Sequence, residues 1–323
     1  MKILIAGASG ALGAPLTRAL ITKGHQVLGL ARTPESRAHL TRLGAHPLQA
    51  NVMERDELLK AVKGVQADVV IHALTALKKS PLRHQDMYAT NALRDVGSRN
   101  LLAAARQVGA RRFIAESMTL GYGYGDWGAQ VLTEDHPFAP MGSSAQLERH
   151  VAGFRSLERQ LWEATQEGWI EGIALRYGYF YGAASLPPLL EALRHHSLPL
   201  PDGGRAVTSW IYLEDAAAAT IAALEGGKAG EAYNIVDDEP VRNQDFFAFL
   251  CQQTHLPKPL SLPSWMMHPL APLATDFFAT SMRVSNAKAV RELGWRPTIA
   301  PSYRQGIAQA LEVLNSEQGA IKL

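Results

Sequence analysis

Ile3-Leu4-Ile5-Ala6-Gly7-Ala8-Ser9-Gly10-Ala11-Leu12-Gly13 is the stretch whose reading decides the fold. Its unbroken apolar start suits a strand buried on both faces, as in a parallel sheet, and Leu16, Leu20 and Ile21 then recur at helical spacing. Strand, glycine turn and helix follow in the order a dinucleotide site requires. Gly7 permits a tight turn, Gly10 lets the backbone approach a pyrophosphate with no Cβ in the way, and Gly13 lets the helix pack closely on the strand. The turn residues Ala8, Ser9, Ala11 and Leu12 and the helix N-terminus then face the phosphates. The spacing is G-x-x-G-x-x-G, and a glycine turn that merely packs is the competing reading. A second strand at Gln26-Val27-Leu28-Gly29-Leu30 favours nucleotide binding.

That second strand runs into Ala31-Arg32-Thr33-Pro34-Glu35-Ser36-Arg37. A site for NAD usually places an acidic residue here, on the adenosine ribose. A guanidinium instead suits a 2′-phosphate through charge-assisted hydrogen bonds, with Arg32 the first contact and Arg37 a second. NADP(H) is therefore expected over NAD(H), the alternative being an ordinary solvated arginine before a helix. A third strand is expected at His46–Ala50, a helix opening at Asp56-Glu57-Leu58-Leu59, and a fourth strand at Asp68–Leu74, in which His72 reads as a packed strand histidine. Such alternation predicts an α/β fold, a doubly wound parallel sheet covered by helices, with ligands beyond the carboxyl ends of the strands.

Composition narrows the partners. The 323 residues carry 32 basic and 30 acidic side chains, which gives no electrostatic case for nucleic acid or an anionic membrane. Cys251 is the sole cysteine and excludes an intrachain disulfide, and no apolar run approaches the length of a membrane span. Only a few apolar residues precede the glycine turn, so a secretory leader is not expected and the protein reads as soluble and cytoplasmic. The expected partner is a small-molecule substrate, and a homodimer is compatible with the sequence. There is no phosphate loop of the G-x-x-x-x-G-K-[ST] type, no H-E-x-x-H or cysteine cluster and no G-x-S-x-G elbow, so no metal site is expected. His195 and His196 are adjacent and would point apart on a helix.

The glycine spacing resembles the extended branch of the short-chain dehydrogenase/reductase superfamily, the NAD-dependent epimerase/dehydratase-like proteins. Further stretches share the likeness. His72-Ala73-Leu74, with Thr75, resembles the strand end that brushes the cofactor ribose. Gly97–Ala105 resembles the long central helix, and Arg111–Ser117 the fifth strand. Ile173–Gly182 is similar to the strand and turn that pass the nicotinamide, which implies cofactor contacts at Tyr177 and Gly178. Trp210–Ala217 resembles the substrate-side strand and helix, with Asp215 as an N-cap or first-turn acid. Glu231–Val236 and Arg291–Pro297 complete the resemblance. It implies a Rossmann-type cofactor domain over residues 1–170 and a smaller, mostly helical substrate region over 171–323, interleaved with the last sheet strands. The family's asparagine three residues before the central glycine is here Arg94, with Asn91 one turn earlier, so that role is not transferred. Leu260–Phe278, rich in Leu, Pro, Met, Trp and Phe, either fills the small region's core or walls an apolar pocket.

The central departure is the missing Tyr-x-x-x-Lys pair, in which lysine lowers the tyrosine pKa for proton exchange. None of the nine tyrosines has lysine four residues on. Anchoring the helix on Glu158-x-x-Leu161 puts His150 at the tyrosine position and Phe154 at the lysine position. Met118 falls at the usual Ser/Thr position, flanked by Ser117 and Thr119. The reading that follows is an atypical NADP-dependent oxidoreductase acting on a moderately bulky, apolar carbonyl compound and not on a nucleotide sugar. His150 is the first choice of proton donor, because imidazole needs no lysine. Tyr122 follows, with Ser117 as an orienting partner that also touches cofactor, and Arg155 supplying the lysine's charge. Met118, Thr119, Tyr122, Tyr124 and Trp127 are the expected substrate wall. The alternatives are a non-catalytic NADP(H) sensor or scaffold and, less favoured, an epimerase or dehydratase using bound nicotinamide internally.

Overall fold

The computed structural model describes residues 1–77 and 80–321, with side chains described to residue 316. Seven strands form one parallel sheet: β1 Lys2–Ala6, β2 Gln26–Ala31, β3 His46–Gln49, β4 Val69–His72, β5 Arg112–Met118, β6 Glu171–Tyr177 and β7 Glu231–Ile235. Their spatial order is β3-β2-β1-β4-β5-β6-β7. The chain therefore winds one way from β1 and returns to wind the other way from β4, leaving a switch point between β1 and β4. Alternation inside β1 explains why an unbroken apolar run is needed there. Ile3 and Ile5 enter the core on one face of the sheet, and Leu4 and Ala6 enter the core on the other.

Helices α1 Gly13–Thr22, α2 Pro34–Arg42, α3 Arg55–Ala61, α4 Tyr88–Ala92, α5 Ser98–Gln107 and α6 Ala145–Gln166 belong to the crossovers. One turn of π-helix, Leu93–Gly97, joins α4 to α5, so the expected central helix starts on an irregular turn. α2 starts at Pro34 behind a Thr33 cap whose side chain accepts from the Ser36 N–H.

The C-terminal half lends β6 and β7 to the sheet, and the expected division at residue 170 falls just before β6. Past it, Tyr179–Tyr181 pairs in parallel with Trp210–Tyr212, and Asp126–Leu132 pairs with Ser281–Val284. An aromatic core holds this region, with Trp210 stacked on Phe246 at 4.0 Å between ring centroids. Asp215 lies in the first turn of helix Leu213–Gly226, yet its carboxylate accepts from the Thr298, Ile299 and Ala300 N–H groups, clamping the segment after Trp295. The Leu260–Phe278 stretch divides. Met267, Leu273 and Phe278 are buried, whereas Trp265, Met266 and Leu270 are exposed.

Candidate active site

The glycine turn closes against the switch point. Gly7 adopts φ +94°, and a Cβ there would sit 1.9 Å from the Ala73 carbonyl oxygen at the end of β4. A Cβ on Gly13 would lie 1.9 Å from the Gly7 carbonyl oxygen, so these two glycines are demanded by the protein's own backbone. Gly10 differs. Its Cβ would meet only the Gly7 carbonyl oxygen, at 3.2 Å, and otherwise points into open space. Packing explains two of the three glycines, and the third keeps room for something outside the chain. Ala8 is buried and its carbonyl accepts from the Thr17 hydroxyl, Ser9 is half-buried, and α1 starts with no side-chain cap on its N–H groups.

A cavity of about 320 Å³ opens from this turn along the carboxyl ends of β1, β4 and β5. Gly10, Ala11, Leu12, Ala73 and Thr75 line its near side. Met118, Leu120, Phe154, Phe180, Leu273 and Phe277 make its far wall apolar. Among the described residues, three ionisable groups line the cavity as well: Arg94, Glu116 and Tyr124. Burial pushes the Glu116 carboxyl up to about 7, against the pull of Arg94, because a carboxylate there has little water to solvate it. Burial draws the Arg94 guanidinium down to about 10, which still leaves it fully charged at neutral pH. The Tyr124 phenol is raised by burial and stays a neutral donor.

Arg94 sits in the π-helical turn and crosses to α6. Its guanidinium carbon lies 3.9 Å from the centroid of the Phe154 ring, with Nη1 donating to Asn91 Oδ1 at 3.1 Å and Nη2 reaching Met118 Sδ at 3.8 Å. Neither Arg94 nor Glu116 was singled out as a site residue from the sequence. The available signal was Arg94 standing where the family carries asparagine.

Of the expected substrate wall, the structure brings Met118 and Tyr124 to the cavity. Thr119 is buried beside Tyr179 and Thr208 instead, and Trp127 packs beside Tyr122, Leu132 and Met282. Tyr122 and Ser117 belong to a buried polar network behind β5. Ser117 donates to Glu158 Oε1 at 2.8 Å, Arg176 grips the same carboxylate with Nε and Nη2, and its Nη1 donates to the Tyr122 hydroxyl at 3.1 Å. Tyr122 then donates to Asn234 Oδ1, and burial pushes its phenol up to about 12. Arg155 binds Glu148 and the Ala139 and Pro140 carbonyls, where it pins the loop before α6.

His150 is fully buried, 3.0 Å from His84 Nδ1 through Nε2 and 3.0 Å from the Asn91 amide through Nδ1. Burial first, then His84 and Arg94, hold its pKa down at about 4, so the ring is neutral at physiological pH and lies behind the cavity wall. The other cofactor positions divide as well. Leu74 packs against the core, Tyr177 is buried with its hydroxyl on Thr220, and Gly178 admits the Ser209 carbonyl, which a Cβ would approach to 2.4 Å. Arg32 and Arg37 are exposed at the end of β2 and in α2, and neither has an ion-pair partner among the described residues.

The sheet order, the glycine turn and the ligand-sized cavity at the switch point together specify a family. The profile of the NAD dependent epimerase/dehydratase family matches residues 3–236. The chain belongs to that family. A 3-diazoavenalumate denitrifying reductase from a Streptomyces species is 34% identical over 323 residues, covering 96% of this chain and all of the relative. A 4-hydroxy-2-methyl-3-oxo-4-farnesyl-3,4-dihydroquinoline-1-oxide ketoreductase from Stigmatella aurantiaca is 26% identical and covers 99% of both chains. Among solved structures, UDP-glucose 4-epimerase from Thermotoga maritima superposes with a TM-score of 0.79 at 20% identity, over 98% of this chain and all of that one. A dTDP-glucose 4,6-dehydratase from Streptomyces venezuelae, with NAD bound, also gives 0.79 at 19% identity, over 99% of this chain and 98% of that one. These structures establish the fold of the extended short-chain dehydrogenase/reductase proteins. Relatives named as reductases and dehydratases within this family support an NAD(P)-dependent oxidoreductase. No described helix is long and apolar enough to cross a membrane.

Proposed function

We propose that the protein is an NADP(H)-dependent reductase of a moderately bulky, largely apolar carbonyl compound. The observation that carries this reading is the cavity itself, which joins the open face of Gly10 to a wall of Met118, Leu120, Phe154 and Phe277. The residues present fit a dinucleotide: the turn Gly7–Gly13 and the uncapped start of α1 would hold the pyrophosphate, and Ala73 and Thr75 would meet the ribose. Arg32, free of protein partners among the described residues, supports the 2′-phosphate and hence NADP(H). When bound, the nicotinamide supplies or accepts a hydride.

The chain's own residues must then handle the proton. Glu116 faces the cavity with a carboxyl pushed up to about 7 by burial, so it can exchange a proton near neutral pH, a task for which the missing tyrosine would have needed lysine to lower its pKa. As the substrate carbonyl becomes an alcohol, its oxygen takes the Glu116 proton, and the carboxylate left behind faces Arg94. Tyr124 orients the same oxygen by hydrogen bonding. His150 and Asn91 hold Arg94 in position from behind. The apolar wall excludes water and disfavours a sugar nucleotide. The relative that is a ketoreductase of a farnesylated dihydroquinoline oxide supports a bulky, largely apolar carbonyl substrate.

A second reading follows from the denitrifying relative. Hydride added to the terminal nitrogen of an aryl diazonium gives an aryl diazene, which loses N2 and leaves the arene, with no proton required from the protein. A chain without the Tyr-x-x-x-Lys pair suits such an acceptor. NADPH oxidation across ketone, enone and aryl diazo panels, paired with titration of NADPH and NADH by fluorescence, tests both. Tight cofactor binding with no turnover on any panel would favour the sensor alternative.

A further inference from the structure

The cavity contains an electrostatic imbalance. Arg94 is only 6% exposed, and no carboxylate approaches its guanidinium within 4.0 Å among the described residues. Buried arginines are ordinarily paired, because the group cannot shed its proton and desolvation is costly. Here two of the five N–H donors reach Asn91 and a methionine sulfur, a weak acceptor, and the ring of Phe154 covers one face. The remaining donors have no partner among the described residues, in a cavity that the guanidinium lines. Glu116, which lines the same cavity, is pushed up to about 7 by burial and so leaves the Arg94 charge uncompensated below that pH. The phosphates belong at the glycine turn. Arg94 instead lies against Met118 and Phe154, at the reacting end.

We propose that the substrate of this cavity is an apolar molecule bearing a carboxylate, and that Arg94 is the residue that binds that carboxylate. The assignment rests on the reductase reading of the same cavity and narrows its substrate class. A planar guanidinium with unpaired N–H groups offers a carboxylate a charge-assisted contact that Lys, a point charge, would reproduce only in part. The π-helical turn is the device that delivers it. A regular helix through Leu93–Gly97 would rotate position 94 relative to α6, whereas the wide turn aims it across Phe154 into the cavity.

The test is calorimetric titration of the full chain, loaded with NADP+, with cinnamate and decanoate and with their primary amides. At pH 6, where Glu116 keeps its proton and the added acids are ionised, at least one acid should bind roughly tenfold or more tightly than its own amide. Arg94→Met should abolish that preference while NADP+ affinity is retained, Arg94→Lys should keep part of it, and Glu116→Gln should keep it. If no acid binds more tightly than its amide, or if the preference survives in folded Arg94→Met, the assignment is overturned. Should Arg94→Met not fold, the acid-to-amide ratio in the unmodified chain and in Arg94→Lys decides the matter. Repeating the titration without cofactor scores the anion preference separately. A failure of NADP+ to bind would thus count against the reductase reading alone.

Discussion

The guanidinium of Arg94 lies 3.9 Å over the ring of Phe154, the residue that anchoring the helix on Glu158 and Leu161 sets at the family's lysine position, so an apolar ring there carries a positive charge stacked upon it. The charge that lysine would carry on α6 arrives here from the turn between α4 and α5. Restoring the lysine therefore should not restore the family's chemistry. Phe154→Lys would place a second buried cation against Arg94 and remove the ring it packs on, costing about 3–5 kcal/mol as an uncompensated buried charge. Thermal unfolding checks this, and adding Arg94→Asn should recover part of the loss. A Phe154→Lys protein as stable as the unmodified one would remove the argument.

Cofactor choice should rest on Arg32. Charge-assisted hydrogen bonds contribute about 1.5–3 kcal/mol, so Arg32→Ala is expected to weaken NADP(H) binding roughly ten- to a hundredfold and leave NAD(H) nearly unchanged. Equal losses for both, by fluorescence titration, would refute a 2′-phosphate contact.

The three glycines should separate experimentally. Gly10→Val is expected to abolish cofactor binding in a folded protein, because only the Gly7 carbonyl, at 3.2 Å, crowds the new Cβ. Gly7→Ala should instead destabilise the fold, since its Cβ would fall 1.9 Å from the Ala73 carbonyl oxygen at positive φ. Melting and binding are measured together. Retained affinity in folded Gly10→Val would reduce the turn to a packing device.

Turnover of a carbonyl substrate should fall as pH rises through about 7, where Glu116 loses its proton. Glu116→Gln should lower kcat by about 10²–10⁴-fold and flatten that alkaline limb, while NADPH affinity stays unchanged. An alkaline limb that persists in Glu116→Gln assigns the proton elsewhere.

Acid should destabilise the fold through its buried histidines. His72 and His150 are both held near pH 4, burial being the largest cause, against about 6.5 when unfolded. Their contribution is complete above pH 6.5 and is lost as pH falls toward 4, up to about 3 kcal/mol each. Glu116 runs the other way: its raised pKa favours the folded state below its unfolded value and loses that contribution as pH rises through about 7. Melting temperature between pH 7 and 4 should fall less steeply in His150→Gln. An unchanged slope would show that His150 is not the titrating group.

The sequence by itself determined the sheet and its ligand-binding edge. Apolar runs at Ile3–Ala6 and Val69–Ile71, short and bounded by turn residues, suit strands buried on two faces, and the glycine turn between strand and helix is a local pattern whose geometry follows from the absence of Cβ atoms. It also showed what was missing, because a Tyr-x-x-x-Lys pair is defined by spacing along one helix. What replaces that pair was not legible, since it depends on contacts between elements far apart in the chain. Helical alignment alone put His150 and Arg155 in the running, but tertiary packing turned His150 toward His84 and Asn91 and tied Arg155 to the loop at Ala139 and Pro140. The same packing enclosed Glu116, an ordinary strand residue by its neighbours, and raised its pKa by excluding water. Burial and charge proximity are properties of the assembled core, and only the folded chain brings Arg94, Glu116 and Tyr124 into one cavity.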